Sequence, residues 1–147
     1  MMINLLYGLP IMGICLLLQS LLIVTALRYY AHRQTQVSSP SFWSTLFVIN
    51  GVMLILVIGD IAQVVIWAFL FRLLGEFSRF GEAVYHSAVN FATLGYGDIV
   101  MSAKHKFLGP LEAINGAIMI GVSTAALMLA LQDAMKKTIK AQQEAIK

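Results

Sequence analysis

Charge is scarce in this chain. Asp, Glu, Lys and Arg make up 12% of its 147 residues, against 59% hydrophobic. Ordinary globular domains carry roughly twice that charged fraction. A soluble fold of this length could not cover so much apolar surface, so the bilayer must be the main solvent. Cysteine is nearly absent. Cys15 alone cannot form an intrachain disulfide and carries no signal about redox compartment. Inside an apolar run it reads as a packed or lipid-facing thiol. The basic excess is only +3, and no stripe of Lys and Arg with interleaved aromatics is seen, which argues against a nucleic-acid partner. His32, His86 and His105 lack a metal-ligand spacing. No Ser-His-Asp pattern or phosphate loop stands out, so neither an enzyme nor a cofactor is expected.

What is present is a set of long apolar runs. The first extends from Leu5 to Leu27, and about 20 apolar residues suffice to cross the hydrocarbon core. No Lys or Arg precedes it and it exceeds a usual signal core, so a retained helix is expected. Gly8, Pro10 and Gly13 are expected to loosen its first turns. Arg28-Tyr29-Tyr30-Ala31-His32-Arg33 suits a membrane interface, which makes 1–33 an N-terminal helix with a basic flank. The polar stretch with Ser38-Ser39-Pro40-Ser41 reads as a connector, so 34–44 is a linker. The second run, Phe42 to Phe71, would be about 45 Å of helix at 1.5 Å per residue, long enough to tilt or project. Asn50, Asp60 and Gln63 interrupt it. The third runs from Pro110 to Leu131, with Pro110 in the first turn and Glu112 complementing the helix dipole.

Between the second and third runs, Arg72 to Phe107 is mixed in polarity. A short helix over 81–92 is too short to span a bilayer and reads as re-entrant. The fold class expected is an all-α membrane protein: three transmembrane helices, with a re-entrant pore helix and loop between the last two. The pore domain would occupy 45–135, with its inner helix at 110–132, and 136–147 would be a solvated helical tail.

The decisive string is Thr93-Leu94-Gly95-Tyr96-Gly97-Asp98, directly after that short helix. Glycine adopts positive φ at little steric cost, and a backbone whose dihedrals alternate in hand can turn successive carbonyls to one side. Four such strands about an axis would stack rings of oxygen that replace the hydration shell of potassium. With Tyr85-His86-Ser87-Ala88-Val89-Asn90-Phe91-Ala92 leading in, and Leu108-Gly109 and a glycine-containing helix after it, the chain resembles bacterial potassium channels with two helices and one pore loop per subunit. The resemblance covers roughly 42–131, and the first helix is extra to it.

The resemblance implies a potassium-selective channel subunit, with potassium as the permeant ion and no cofactor. Ion sites would be formed by the carbonyls of Thr93, Leu94, Gly95 and Tyr96, with Gly97 completing the filter. Asp98, Tyr85 and His86 would support it. One filter per chain implies a homotetramer in the cell (inner) membrane. The filter would face outside, leaving 38–44 and 136–147 in the cytoplasm and the N-terminus outside. Six Lys/Arg then fall inside (Arg28, Arg33, Lys136, Lys137, Lys140, Lys147) and four outside (Arg72, Arg79, Lys104, Lys106), in the direction of the positive-inside rule.

Several residues carry two readings. Asp60, within a span, is either a proton or cation sensor for gating or a structural partner for Gln19, Asn50 or His86. Gly116 and Gly121 are candidate gating hinges or close-packing positions. Asn115 faces either the ion cavity or a packed helix. The first helix has no Arg ladder, which argues against a voltage sensor, and a folded ligand-binding domain is not expected from the residues after Leu131. Two rival functions stand beside the channel. One is a non-conducting regulatory or scaffolding membrane subunit, with the first helix for docking. The other is a weakly selective cation channel, since His86 and Ala92 stand where such filters often carry an aromatic and a second threonine.

Overall fold

The computed structural model describes residues 2–36 and 42–145. Among these the regular structure is entirely helical: α1 (Met2–Gln36), α2 (Phe42–Leu73), α3 (Phe80–Phe91) and α4 (Leu108–Ala145). Three helices are long and apolar enough to cross a membrane, at Met2–Arg33, Trp43–Leu73 and Leu108–Ile139. The short α3 lies between the last two. The protein is an all-α, multi-pass membrane protein.

Pro10 lies inside α1 without ending it. Its missing N–H removes one ladder bond, a loss that membrane helices tolerate when neighbours satisfy the freed carbonyl. Ser38-Ser39-Pro40-Ser41 lies outside the described residues. α4 starts at Leu108, two residues before the expected Pro110, because Leu108 and Leu111 are buried core residues that favour the helix there. Glu112 therefore falls beyond the first turn, which holds no acidic residue. α4 also runs on to Ala145, so the inner helix continues without a break into the helical tail.

The chain divides into two compact units. The first comprises the residues up to Gln19 together with Gly59–Gly121. Its core joins Cys15, Trp67, Phe71, Phe77, Met101 and Leu108. Lipid tails are as apolar as these side chains, so helix association rests on close packing and interhelical hydrogen bonds. Both occur here. A Cβ on Gly8 would come within 2.8 Å of Leu111, so α1 and α4 approach closely at that point. Gln63 donates to Gln19 across α1 and α2 at 2.7 Å, and Asn4 donates to the Lys104 carbonyl at 3.0 Å. Such bonds contribute about 0.6–2 kcal/mol each within a bilayer.

The second unit comprises Ser20–Ile58 and the residues from Val122. Ala126, Ala130 and Ala134 repeat every four residues on one face of α4, all buried, with Val48, Ile49, Val52 and Leu56 of α2 and Ala26 and Tyr30 of α1. Gly51 seats the Tyr29 ring, which a Cβ would meet at 2.6 Å. Tyr30 donates to Asp133 at 2.9 Å, and Lys137 pairs with the same carboxylate at 2.8 Å.

Candidate pore loop

α3 begins after Arg79, whose backbone is extended (φ −112°, ψ 135°) and offers no side-chain cap. Its guanidinium instead binds Glu82 through two bonds of 2.9 and 2.6 Å. Glu82 lies in the first turn, where a carboxylate complements the helix dipole.

The way α3 ends sets the backbone of the loop beyond it. Thr93 N–H bonds the Asn90 carbonyl at 2.8 Å, and Leu94 N–H bonds the Val89 carbonyl at 2.9 Å. This pair of bonds is a Schellman termination, which requires a left-handed residue after the helix. That residue is Thr93, at φ 59°. Glycine usually fills the position; a β-branched residue there is strained by roughly 1–3 kcal/mol. Gly95 and Gly97 come next at φ 58° and 75°. Positive φ thus recurs at every second residue from Thr93 to Gly97. Among the described residues nothing crowds a Cβ at Gly95 or Gly97, so backbone conformation, not space, calls for glycine there.

The strained segment is strapped to its surroundings. Tyr85 of α3 donates to Asp98 at 2.7 Å. This bond holds the Asp98 carboxyl below its ordinary range and raises the Tyr85 phenol. His86 Nδ1 lies 2.9 Å from the Ile99 carbonyl. A carbonyl only accepts, so Nδ1 carries the proton, leaving Nε2 to accept from Asn90 at 2.9 Å. Burial pushes the His86 imidazole down, partly offset by the bond to Ile99. Its ring packs against Phe71 and Phe77, with centroids 5.6 and 5.0 Å away.

A third strap joins the α2–α3 loop to the segment after Asp98. Glu76 accepts from Ser102 N–H at 2.6 Å and from its hydroxyl at 2.7 Å, and pairs with His105 Nδ1 at 2.5 Å. Burial alone would raise the Glu76 carboxyl, but these bonds together hold it below its ordinary value.

The residues singled out from sequence fall in different places. Thr93 to Asp98 form one exposed loop carrying the alternation, with Tyr85 and His86 beside it. Gly116 packs under the end of α3, where a Cβ would run into the Phe91 carbonyl oxygen. Gly121 has open space around it. Asn115 and Cys15 are fully buried. Asp60 is half-buried on α2, three residues before Gln63. Glu76, Ser102, Asn90 and Ser87 did not stand out in the sequence. The partners of Ser87, Glu76 and Ser102 lie 23 or more residues away, and Asn90 shows its role through His86, one turn back on α3.

The sequence profile of the ion channel family matches residues 55–133, more than half of the chain. Neither a curated protein nor a solved structure matches it. The matched span takes in most of α2, all of α3, the strapped loop and α4 as far as Asp133, and the chain belongs to the ion channel family.

Proposed function

We propose that this chain is one subunit of a potassium-selective channel, assembled as a homotetramer in the cell membrane. The observation that carries this reading is the recurrence of positive φ at Thr93, Gly95 and Gly97. Each reversal of backbone hand flips the next peptide plane, so carbonyls of neighbouring residues can face one side. Four copies would place those of Thr93, Leu94, Gly95 and Tyr96 in rings that take over the hydration of potassium. Ion passage is then passive.

Tetramer assembly is favoured by what one chain leaves uncovered. Leu94 and Tyr96 are 54% and 65% exposed, on a loop that other copies would cover. α3 ends where the filter begins, and its negative dipole end favours a cation beyond Ala92. Asp98, Tyr85 and His86 act as supports. The filter faces outside, with the N-terminus outside and the C-terminal end of α4 in the cytoplasm.

The test is flux from potassium-loaded liposomes holding the purified protein, with sodium as the comparison and Gly95→Ala as the control. Gly95 has positive φ, which costs a side chain roughly 1–2 kcal/mol, so the variant should lose selective flux. Potassium-selective flux lost in Gly95→Ala supports the proposal. Equal sodium and potassium flux would mean a weakly selective cation channel. Silence from well-folded tetramers at several pH values would favour a regulatory subunit.

A further inference from the structure

Ser87, in the middle of α3, makes two hydrogen bonds with oxygens that cannot both accept from it. Its Oγ lies 2.7 Å from the Val64 carbonyl of α2. It also hydrogen-bonds Glu112 Oε1 of α4. A serine hydroxyl has one proton and a backbone carbonyl has none. Two oxygens at 2.7 Å with no proton between them repel, whereas that spacing is ordinary for O–H···O. The Ser87 proton therefore points to Val64, and the bond to Glu112 needs a proton from the other side. We infer that Glu112 is a carboxylic acid in the folded protein, donating to Ser87, which in turn donates to Val64, so that a neutral relay pins the pore helix between α2 and α4.

The surroundings of Glu112 agree with this independently. The residue is 0% exposed, and no cation faces it among the described residues. From α3, Ser87 and the neutral Asn90 amide hydrogen-bond the carboxyl, and Cys15 approaches from α1. From α2 comes the Val64 carbonyl, which reaches it through Ser87. On α4, Asn115 lies one turn on. Of these groups only the Cys15 thiol titrates, and it carries no positive charge in either form. Glu112 Oε2 has no hydrogen-bond partner. A buried carboxylate with no counter-ion and one oxygen unbonded is far costlier than the neutral acid, whose second oxygen is an ordinary carbonyl. The dipole of α4 offers little compensation, because Glu112 lies past the first turn and the effect fades within it.

Glu112 is thus a positioning residue. It acts through Ser87 on the helix that leads into Thr93–Gly97, and its role in conduction rests on the proposal that this loop is a potassium filter. A proton lost from this site would leave Ser87 with two acceptors for one hydrogen and would put a fixed anion beside α3.

The proton can be read without any ion flux. Infrared difference spectra of the full-length protein in lipid vesicles, wild type minus Glu112→Gln at neutral pH, should show the carbonyl band of a protonated carboxylic acid. Loss of carboxylate bands instead would overturn the inference. Ser87→Ala should move the acid band to higher frequency as its hydrogen bond disappears; an unmoved band would refute the relay. A glutamine amide can also donate to Ser87, so Glu112→Gln should melt close to wild type and well above Glu112→Ala. Equal loss in both variants would count against a donating acid. A protein that showed the band but passed no potassium would sink the channel proposal and leave the proton assignment standing.

Discussion

The two compact units are held by different means. The unit with the pore loop is laced by directional polar bonds: Gln63 to Gln19, Tyr85 to Asp98, His86 to Ile99, and Glu76 to Ser102 and His105. The other is closed by small residues, the Ala126, Ala130 and Ala134 face and the Gly51 seat for Tyr29, with the Tyr30–Asp133–Lys137 tie beside them. The difference arises from what each must hold. A segment with three positive-φ residues, one of them threonine, relaxes unless several bonds over-determine it. Straight helices need only close approach, which alanine and glycine permit.

The largest expected effect tests the tightest point of the pore-loop unit. Gly116→Val should force α4 off the Phe91 carbonyl, costing about 3 kcal/mol or more by overpacking. Gly121→Ala, with open space around it, should cost nothing. Unfolding in detergent would measure both. Equal effects would remove the distinction between a packed and a free glycine, and would reopen both as hinges on equal terms.

Acid should loosen the strapped unit in two stages. The folded pKa of His86 lies below its ordinary 6.5, so the unfolded chain takes up that proton first as pH falls. Stability is then lost as pH drops through 6.5. Glu76 and Asp98 lie below their ordinary 4.5 and 3.8. Their contributions hold above those values and disappear as pH falls below them. Glu112, neutral in the fold, works in the opposite sense, since its unfolded carboxylate takes up a proton as pH falls. With Glu112→Gln as the background, melting temperature against pH should begin to decline near the histidine range. With His86→Gln added, the decline should begin lower, in the carboxylate range. Superimposable curves would show that His86 is not the first strap to go.

Tyr85→Phe removes only the outer tie to Asp98. Folded stability should barely change, because both groups are exposed; on the proposal that Thr93–Gly97 is a potassium filter, flux should decay faster as its outer end loosens. A time course unchanged from wild type would leave His86–Ile99 as the effective support. In the other unit, Tyr30→Phe should lose only about 0.5–1.5 kcal/mol, because that unit packs mainly by small residues. A larger loss there would erase the contrast between the two units.

Much of the architecture was legible from the chain itself. Three apolar runs separated by polar stretches imply spanning helices, because a bilayer requires that length of internally bonded backbone. The backbone alternation at Gly95 and Gly97 was legible for a similar reason: two glycines two apart are a local signature of backbone hand. Thr93 was less so. Its left-handed conformation comes from the hydrogen bonds that close α3, and threonine is a poor advertisement for that shape. Glu112 was read as a dipole partner at a helix start. Burial of Leu108 and Leu111 moved that start upstream and left the carboxyl facing Ser87.

The sequence by itself determined what depends on composition and local backbone preference: a helical membrane protein, its spans, and a loop whose glycines suit alternating dihedrals. Tertiary structure alone decided which glycine is packed, which histidine nitrogen holds its proton, and which carboxyl stays neutral. Those outcomes hang on partners that are distant in sequence, and a hydrogen bond's donor and acceptor are settled only when both ends are in place.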